Sequence, residues 1–438
     1  MTPLKHASLL KINDPRQKYG TPEGPVFVEV CLPHLHRASV AVYFRAGSRF
    51  ETPEENGISH FLEHMIFRGT EKRPTTYAVN HAVESLGAVL FAATSPSSTE
   101  FEMTLPPESL VSGVYLLSEI LTQPIFGDMD IERRIILEEA LEDYDESGNC
   151  IDWDFLSRSR LWPGHALGQS VTGPLENIER FTNADVRAHF EKYYTMQNAV
   201  VCVSGAFDPK VIRPVLQSSF SKLPGGGLLA VASPPALGKG PTINHVKKPG
   251  SQTQLRIAFH APGEDDPDSV PASVLMGILD DGMSTLLHRR IFDERGLAYN
   301  VSAGMDSYSD VAALGIDAAT SHANVPETAA LILQLAMELK SALPDLDELE
   351  KAKRRARWAL EHFLDEPQSM NAWYGEQELY RKAPSLAERA EDYSRITAED
   401  VRRVAERIFV RENLHLTTVG MLTKKAAVAI EQAVNKFR

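Results

Sequence analysis

Cysteine is scarce in this chain. Cys31, Cys150 and Cys202 are scattered and odd in number, which argues against a disulfide framework and against a cysteine-built zinc site. Long apolar runs are also missing: no segment reaches the roughly 18 consecutive apolar residues that a membrane span requires. The opening Met1-Thr2-Pro3-Leu4-Lys5-His6 lacks the apolar stretch of a signal peptide. A cytoplasmic location with no membrane partner is the resulting expectation. Positive charge is in deficit as well, since 45 Lys and Arg face 59 Asp and Glu for a net charge of −14. That sign is wrong for a nucleic-acid binder, which needs a basic stripe to displace counterions. An acidic surface suits basic peptides better.

What remains is an ordinary globular composition, 43% hydrophobic and 24% charged over 438 residues, long enough for two or more domains. A Gly- and Pro-rich stretch from Leu223 through Gly225-Gly226-Gly227 and Pro234-Pro235 to Gly250 reads as a linker. It separates an N-terminal domain, residues 1–222, from a C-terminal domain, residues 251–438. Each half follows a similar order. Ala38–Phe44 reads as a strand, 51–57 as a turn and 58–68 as a buried helix; Gln254–Phe259, 263–268 and Ser269–Leu279 repeat the series. Such a long-period repeat predicts a duplicated α+β domain, each copy a sheet packed with helices.

The chemistry concentrates in His60-Phe61-Leu62-Glu63-His64, an H-x-x-E-H pattern. On a helix, positions i, i+3 and i+4 fall in one sector, so both imidazoles and the carboxylate can converge on one point. Neutral imidazole suits zinc, and a hydrolytic zinc site adds a third protein ligand, an open position and a carboxylate base. The same three residues could instead line a polar patch or cap a core helix. Phe61, Leu62, Met65, Ile66 and Phe67 make the helix mostly buried, and buried His and Glu need a polar partner. A metal supplies one. The corresponding helix of the second half, Ala272-Ser273-Val274-Leu275-Met276-Gly277, carries neither His nor Glu, so the metal reading applies to one copy only.

A third ligand is sought on the acidic segment 131–142, where four acids compete. Glu132 and Glu139 are seven apart, nearly two turns, and are expected to share an inward face with Ile135 and Ile136. Glu138 and Glu142 are expected to be solvated. Glu139 is the candidate ligand and Glu132 the residue that holds a ligand in place. Elsewhere the signals are weak. His34 and His36 read as a surface turn, His165 as a loop or packing residue, and the Leu346–Leu364 helix as solvated. No glycine run has phosphate-loop spacing.

These residues resemble the pitrilysin, insulysin and mitochondrial processing peptidase family of inverted-motif zinc peptidases. The likeness rests on residues 57–70 around the metal helix and on Glu132 with Glu139 beyond it. It continues through His165 to Gly173, Tyr193-Tyr194, Asn198 and Arg295-Gly296-Leu297-Ala298-Tyr299, and so runs from about residue 20 to 420. The resemblance implies a fold of two similar domains of mainly antiparallel sheet packed with helices, forming half of a clamshell. It implies one zinc per chain on His60, His64 and Glu139, with Glu63 as the base. It also implies a peptide substrate, or an unfolded segment, added as a strand beside Val89–Ser95, where Phe91, Ala92 and Thr94 are the candidate contacts.

Two departures stand out. Phe91 occupies the place of the family's Asn. Phe292 occupies the place of an Arg that active members pair with the tyrosine seven residues on, here Tyr299, a candidate catalytic residue. A phenyl ring cannot donate a hydrogen bond to an oxyanion. Some two-chain members divide the labour, so a homodimer, or a heterodimer with a homologous subunit that supplies the Arg/Tyr pair, is the expected assembly. The rival reading is a non-catalytic or partner-dependent peptide-binding or assembly subunit of the same fold.

Overall fold

The computed structural model describes residues 15–21, 23–234, 240–380 and 383–438. The N-terminal Met1–His6 reading and Pro235 of the linker lie outside the described residues.

β1 (Arg16–Tyr19), β2 (Val26–Cys31), β3 (Ala38–Phe44), β4 (Val89–Thr94), β5 (Thr99–Leu105) and β6 (Ala199–Gly205) form one sheet in the order β1-β2-β6-β3-β5-β4. A second sheet holds β7 (Thr242–Val246), β8 (Thr253–Pro262), β9 (Ala298–Ser307), β10 (Val311–Thr320) and β11 (Leu414–Val419), ordered β7-β11-β8-β10-β9. Without β1 the two orders are the same permutation. In both, only the pair that joins the first and last strands is parallel, β2 with β6 and β7 with β11, and the rest are antiparallel. The two sheets thus correspond strand for strand, in line with the duplicated α+β reading of the sequence, and the helix after β3 has its counterpart, Ser269–Leu279, after β8.

Every residue of β3 and β6 is buried, because these strands are covered on both faces. Val40, Val42 and Phe44 point into a core with Phe61, Leu62, Met65 and Ile66 of the helix Ile58–Ile66. Ala41 and Tyr43 alternate to the other face, where Met370 and Tyr374 meet them. β4, at the edge, leaves Val89 and Phe91 exposed.

Chain segment and sheet do not coincide throughout. β7 falls within residues 223–250 and extends the second sheet. The helix Pro367–Tyr380, from the second half of the chain, packs on β2, β3 and β6 of the first sheet. Gly375 permits that approach, since a Cβ there would collide with the Tyr43 ring. Reciprocally, the helix Trp153–Leu161 packs on β8 and β11. Arg256 bonds Asp317 at 2.7 and 2.9 Å, pairs with Asp154, and stacks over the Trp153 ring at 3.8 Å. Arg49, its side chain 1% exposed, forks onto Asp310 at 2.9 and 2.6 Å and joins the halves a second time.

The doubly covered sheet has an electrostatic consequence. Glu102 on β5 is buried, and burial pushes its carboxyl up to about 7 from an ordinary 4.5. In the fold the group stays protonated to about pH 7, whereas in an unfolded chain it ionises near 4.5. Its contribution to stability is thus intact below about pH 4.5 and lost as pH rises through 7. Glu102→Gln, which is neutral at every pH, is expected to stabilise the protein by up to about 3 kcal/mol at pH 9 and by almost nothing at pH 4. Urea unfolding at the two pH values measures the difference; an equal effect at both would mean that ionisation is not the cause.

Candidate metal centre

The helix Ile58–Ile66 starts at Gly57, whose φ of 100° and close approach to the Thr172 carbonyl leave no room for a side chain. Glycine offers no capping oxygen, so the first-turn amides are satisfied from elsewhere. Buried Glu51 accepts from Gly57 N and Ser59 N, both at 2.8 Å, and from Asn56 Nδ2 at 3.0 Å. A carboxylate at a helix N-terminus also meets the favourable end of the dipole. With Phe61, Leu62, Met65 and Ile66 buried in the core, the helix leaves His60, Glu63 and His64 on its remaining side.

Opposite lies the helix Met129–Leu141. Its buried sector is centred on Met129, Ile136 and Ala140 with Glu132 at the margin. Ile135 does not point inward as the sequence suggested; it is 48% exposed. Nor does Glu139, whose side chain is also 48% exposed. Both lie past Glu132 on the flank away from Ile136, and Glu139 therefore faces the open side next to the two histidines. Glu138 and Glu142 are exposed, as expected.

His60 Nε2 stands 3.5 Å from Glu139 Oε1, and His64 Nε2 stands 3.5 Å from Glu139 Oε2. Donor atoms of the three residues all lie within 4.8 Å of one another, and no other three His, Cys, Asp or Glu side chains among the described residues converge so closely. Ligand atoms about 2.1 Å from a tetrahedral zinc are about 3.4 Å apart, so two imidazole nitrogens and a carboxylate at these separations fit that ion. His64 Nδ1 is 2.8 Å from Glu132 Oε1, and Glu132 Oε2 is 2.5 Å from Arg68 Nε. This relay orients the imidazole and leaves Nε2 as its donor. His60 Nδ1, by contrast, is buried without a partner.

Charge follows the geometry. Burial opposes protonation of His64, yet the hydrogen bond to Glu132 and the charges of Glu63, Glu132 and Glu139 outweigh it and raise its pKa above the usual value. Pairing with His60 holds the Glu139 carboxyl below the usual range against partial burial.

Glu63 stays out of the donor group. Its Oε2 accepts a 2.8 Å hydrogen bond from Thr94 Oγ1 at the end of β4. Of the expected substrate contacts, Phe91 is 53% exposed on the free edge and Ala92 packs half-buried against the core. The hydroxyl of Thr94 is engaged with Glu63 instead of standing free. Tyr299 is 87% exposed on β9, an edge strand of the other sheet, with its ring 6.2 Å from Phe292. It is neither a core residue nor, among the described contacts, joined to His60, His64 or Glu139. His165 caps a turn through Leu167 N at 3.2 Å. Sequence reasoning passed over Glu51, Arg68 as the anchor of Glu132, and the Thr94–Glu63 bond. Only Arg68, one helical turn beyond His64, carried a signal that periodicity could have used.

A duplicated α+β chain with one candidate metal-ligand grouping among the described residues has the plan of a half-size, two-domain peptidase chain. Family models agree: Insulinase (Peptidase family M16) matches residues 29–175 and Peptidase M16 inactive domain matches residues 180–356. The chain belongs to this pitrilysin and processing-peptidase family. It is 29% identical to the mitochondrial-processing peptidase subunit beta of Blastocladiella emersonii, over 91% of this chain and 87% of that one. An uncharacterized zinc protease of Streptomyces coelicolor is 27% identical over 94% and 91%. The fold is also that of a crystallised protease from Helicobacter pylori, with a TM-score of 0.84 at 20% identity, covering 93% of this chain and 100% of that chain. Among the described residues, no helix is long and apolar enough to cross a membrane.

Proposed function

We propose that this chain is a zinc-dependent endopeptidase, or the zinc-bearing subunit of a two-chain one, acting on peptides or unfolded segments. The observation that carries the reading is the triad of His60, His64 and Glu139 donors with Glu63 held beside it, next to the free edge of β4. His60 Nε2, His64 Nε2 and the Glu139 carboxylate would hold the metal, one per chain. Zinc there supplies a Lewis acid that polarises a peptide carbonyl and acidifies water. The remaining steps belong to the protein. An extended peptide adds to β4 by main-chain pairing, which tolerates many sequences; the Glu63 carboxylate takes the proton of the attacking water and returns it to the leaving amine. Residues 1–222 and 251–438, joined through 223–250, form the two units of a half-clamshell in this reading, and a second chain closes the chamber.

Phe292 and the exposure of Tyr299 favour dependence on a partner. A homologous chain with the Arg/Tyr pair would then complete the centre. Relatives named as processing-peptidase subunits support this arrangement. The test is cleavage of an internally quenched extended peptide by the zinc-loaded chain, alone and with such a homologue. Turnover that needs zinc and is raised at least about tenfold by the homologue is expected. Zinc-independent turnover, or none under either condition, sinks the peptidase reading; full activity of the pure chain removes the partner.

A further inference from the structure

We propose that Thr94 is a positioning residue for Glu63, and that the edge strand β4 thereby fixes the base as well as offering its free side to a peptide. The inference rests on the peptidase reading and deepens it. Strand alternation divides β4 into two sets. Leu90, Ala92 and Thr94 face the metal helix, the first two packing against the core that the helix completes, while Val89 and Phe91 face away and are exposed. Thr94, last in the strand and held opposite Thr99 by antiparallel pairing, therefore turns its hydroxyl toward the helix side. There Oγ1 donates to Glu63 Oε2 at 2.8 Å.

A hydroxyl has one proton to donate. Spent on Glu63, it is not available to a substrate carbonyl, so the threonine serves the carboxylate. Its β-branched χ1 is stiff, and the bond pins one carboxylate oxygen. No hydrogen bond to the other, Oε1, occurs among the described residues, which leaves that oxygen to accept a proton from water. The same strand thus offers a free edge to an added peptide and sets the orientation of the base. A serine keeps the bond with less rigidity; a valine keeps the shape and loses the bond.

The experiment compares Thr94→Val and Thr94→Ser on the full zinc-loaded chain, with its homologue if one is required. For Thr94→Val, kcat for the quenched peptide is expected to fall about 10- to 100-fold. Zinc content and KM should stay within about twofold, and so should peptide affinity measured in the uncleaving Glu63→Gln background. Thr94→Ser is expected to recover kcat to within about threefold. An unchanged kcat in Thr94→Val, a loss expressed in KM, or failure of serine to rescue each overturns the proposal, the second in favour of a direct substrate contact. A readout independent of turnover separates this inference from the peptidase reading itself. Crystal structures of the chain and of Thr94→Val should show the Glu63 carboxylate fixed in the first and displaced or spread over rotamers in the second. An identical carboxylate in both overturns the positioning role even if the chain cuts nothing.

Discussion

Glu63→Gln is expected to keep about one zinc per chain and to lower kcat roughly 10²- to 10⁴-fold, the range that a positioned general base contributes. The two effects separate because Glu63 is not among the three residues whose donor atoms cluster. Glutamine matches the carboxylate in shape, and its amide oxygen can still accept from Thr94 Oγ1, so the side chain keeps its place. What it loses is the ability to take a proton from water. Peptide affinity should be unchanged, which makes the variant the proper background for binding measurements. Metal analysis and steady-state kinetics on one preparation decide the matter. Turnover within a few-fold of the parent removes Glu63 from the base role, and loss of zinc makes it a ligand.

Much of this site was legible in the sequence because its parts are periodic. His60, Glu63 and His64 lie within one turn, and Glu132 and Glu139 nearly two turns apart, so helical geometry alone brings each set to one side. Orientation about the helix axis was harder. Ile135 and Ile136 are chemically alike, but one is 48% and the other 0% exposed, because the buried sector is set by what packs against Met129, Ile136 and Ala140 and not by the local pattern. Thr94 was legible as a residue near the substrate edge. Its bond to Glu63 spans 31 positions and depends on the helix Ile58–Ile66 lying beside β4, a relation that no local period encodes.

The fold divides in the same way. Shared strand, turn and helix order in the two halves foretold the duplicated sheets, whereas the exchange of covering helices did not show. The Trp153–Leu161 helix lies on the second sheet and the Pro367–Tyr380 helix on the first, and each is simply an amphipathic helix when read alone. β7 escaped notice because a short strand at the end of a Gly- and Pro-rich stretch has little pattern of its own. Tyr299 shows the limit of motif reasoning: the motif around it resembles the family's, but the residue stands exposed on an edge strand, and no sequence pattern says what approaches it.

His64→Ala is expected to abolish zinc binding, in contrast to Glu63→Gln. The imidazole joins two parts of the site, with Nε2 facing Glu139 at 3.5 Å and Nδ1 on Glu132 at 2.8 Å. Removing it takes away one of three protein donors and leaves buried Glu132 with Arg68 as its remaining ion-pair partner. Affinity should fall by at least about 10³-fold, since second-layer partners alone are worth 10- to 100-fold. The loss has a thermodynamic reading that needs no substrate. A metal bound to the native state stabilises it by about 4 kcal/mol when free zinc is a thousandfold above Kd. The parent chain should therefore show a Tm that rises with zinc and drops on chelation. The Tm of His64→Ala should be unmoved by either, with the fold retained because the helix is anchored by Phe61, Leu62, Met65 and Ile66. Differential scanning calorimetry with and without chelator reads both proteins directly. Stoichiometric zinc in His64→Ala, or a parent whose Tm ignores the metal, would place any bound ion elsewhere and leave His60, His64 and Glu139 as a polar cluster without a ligand.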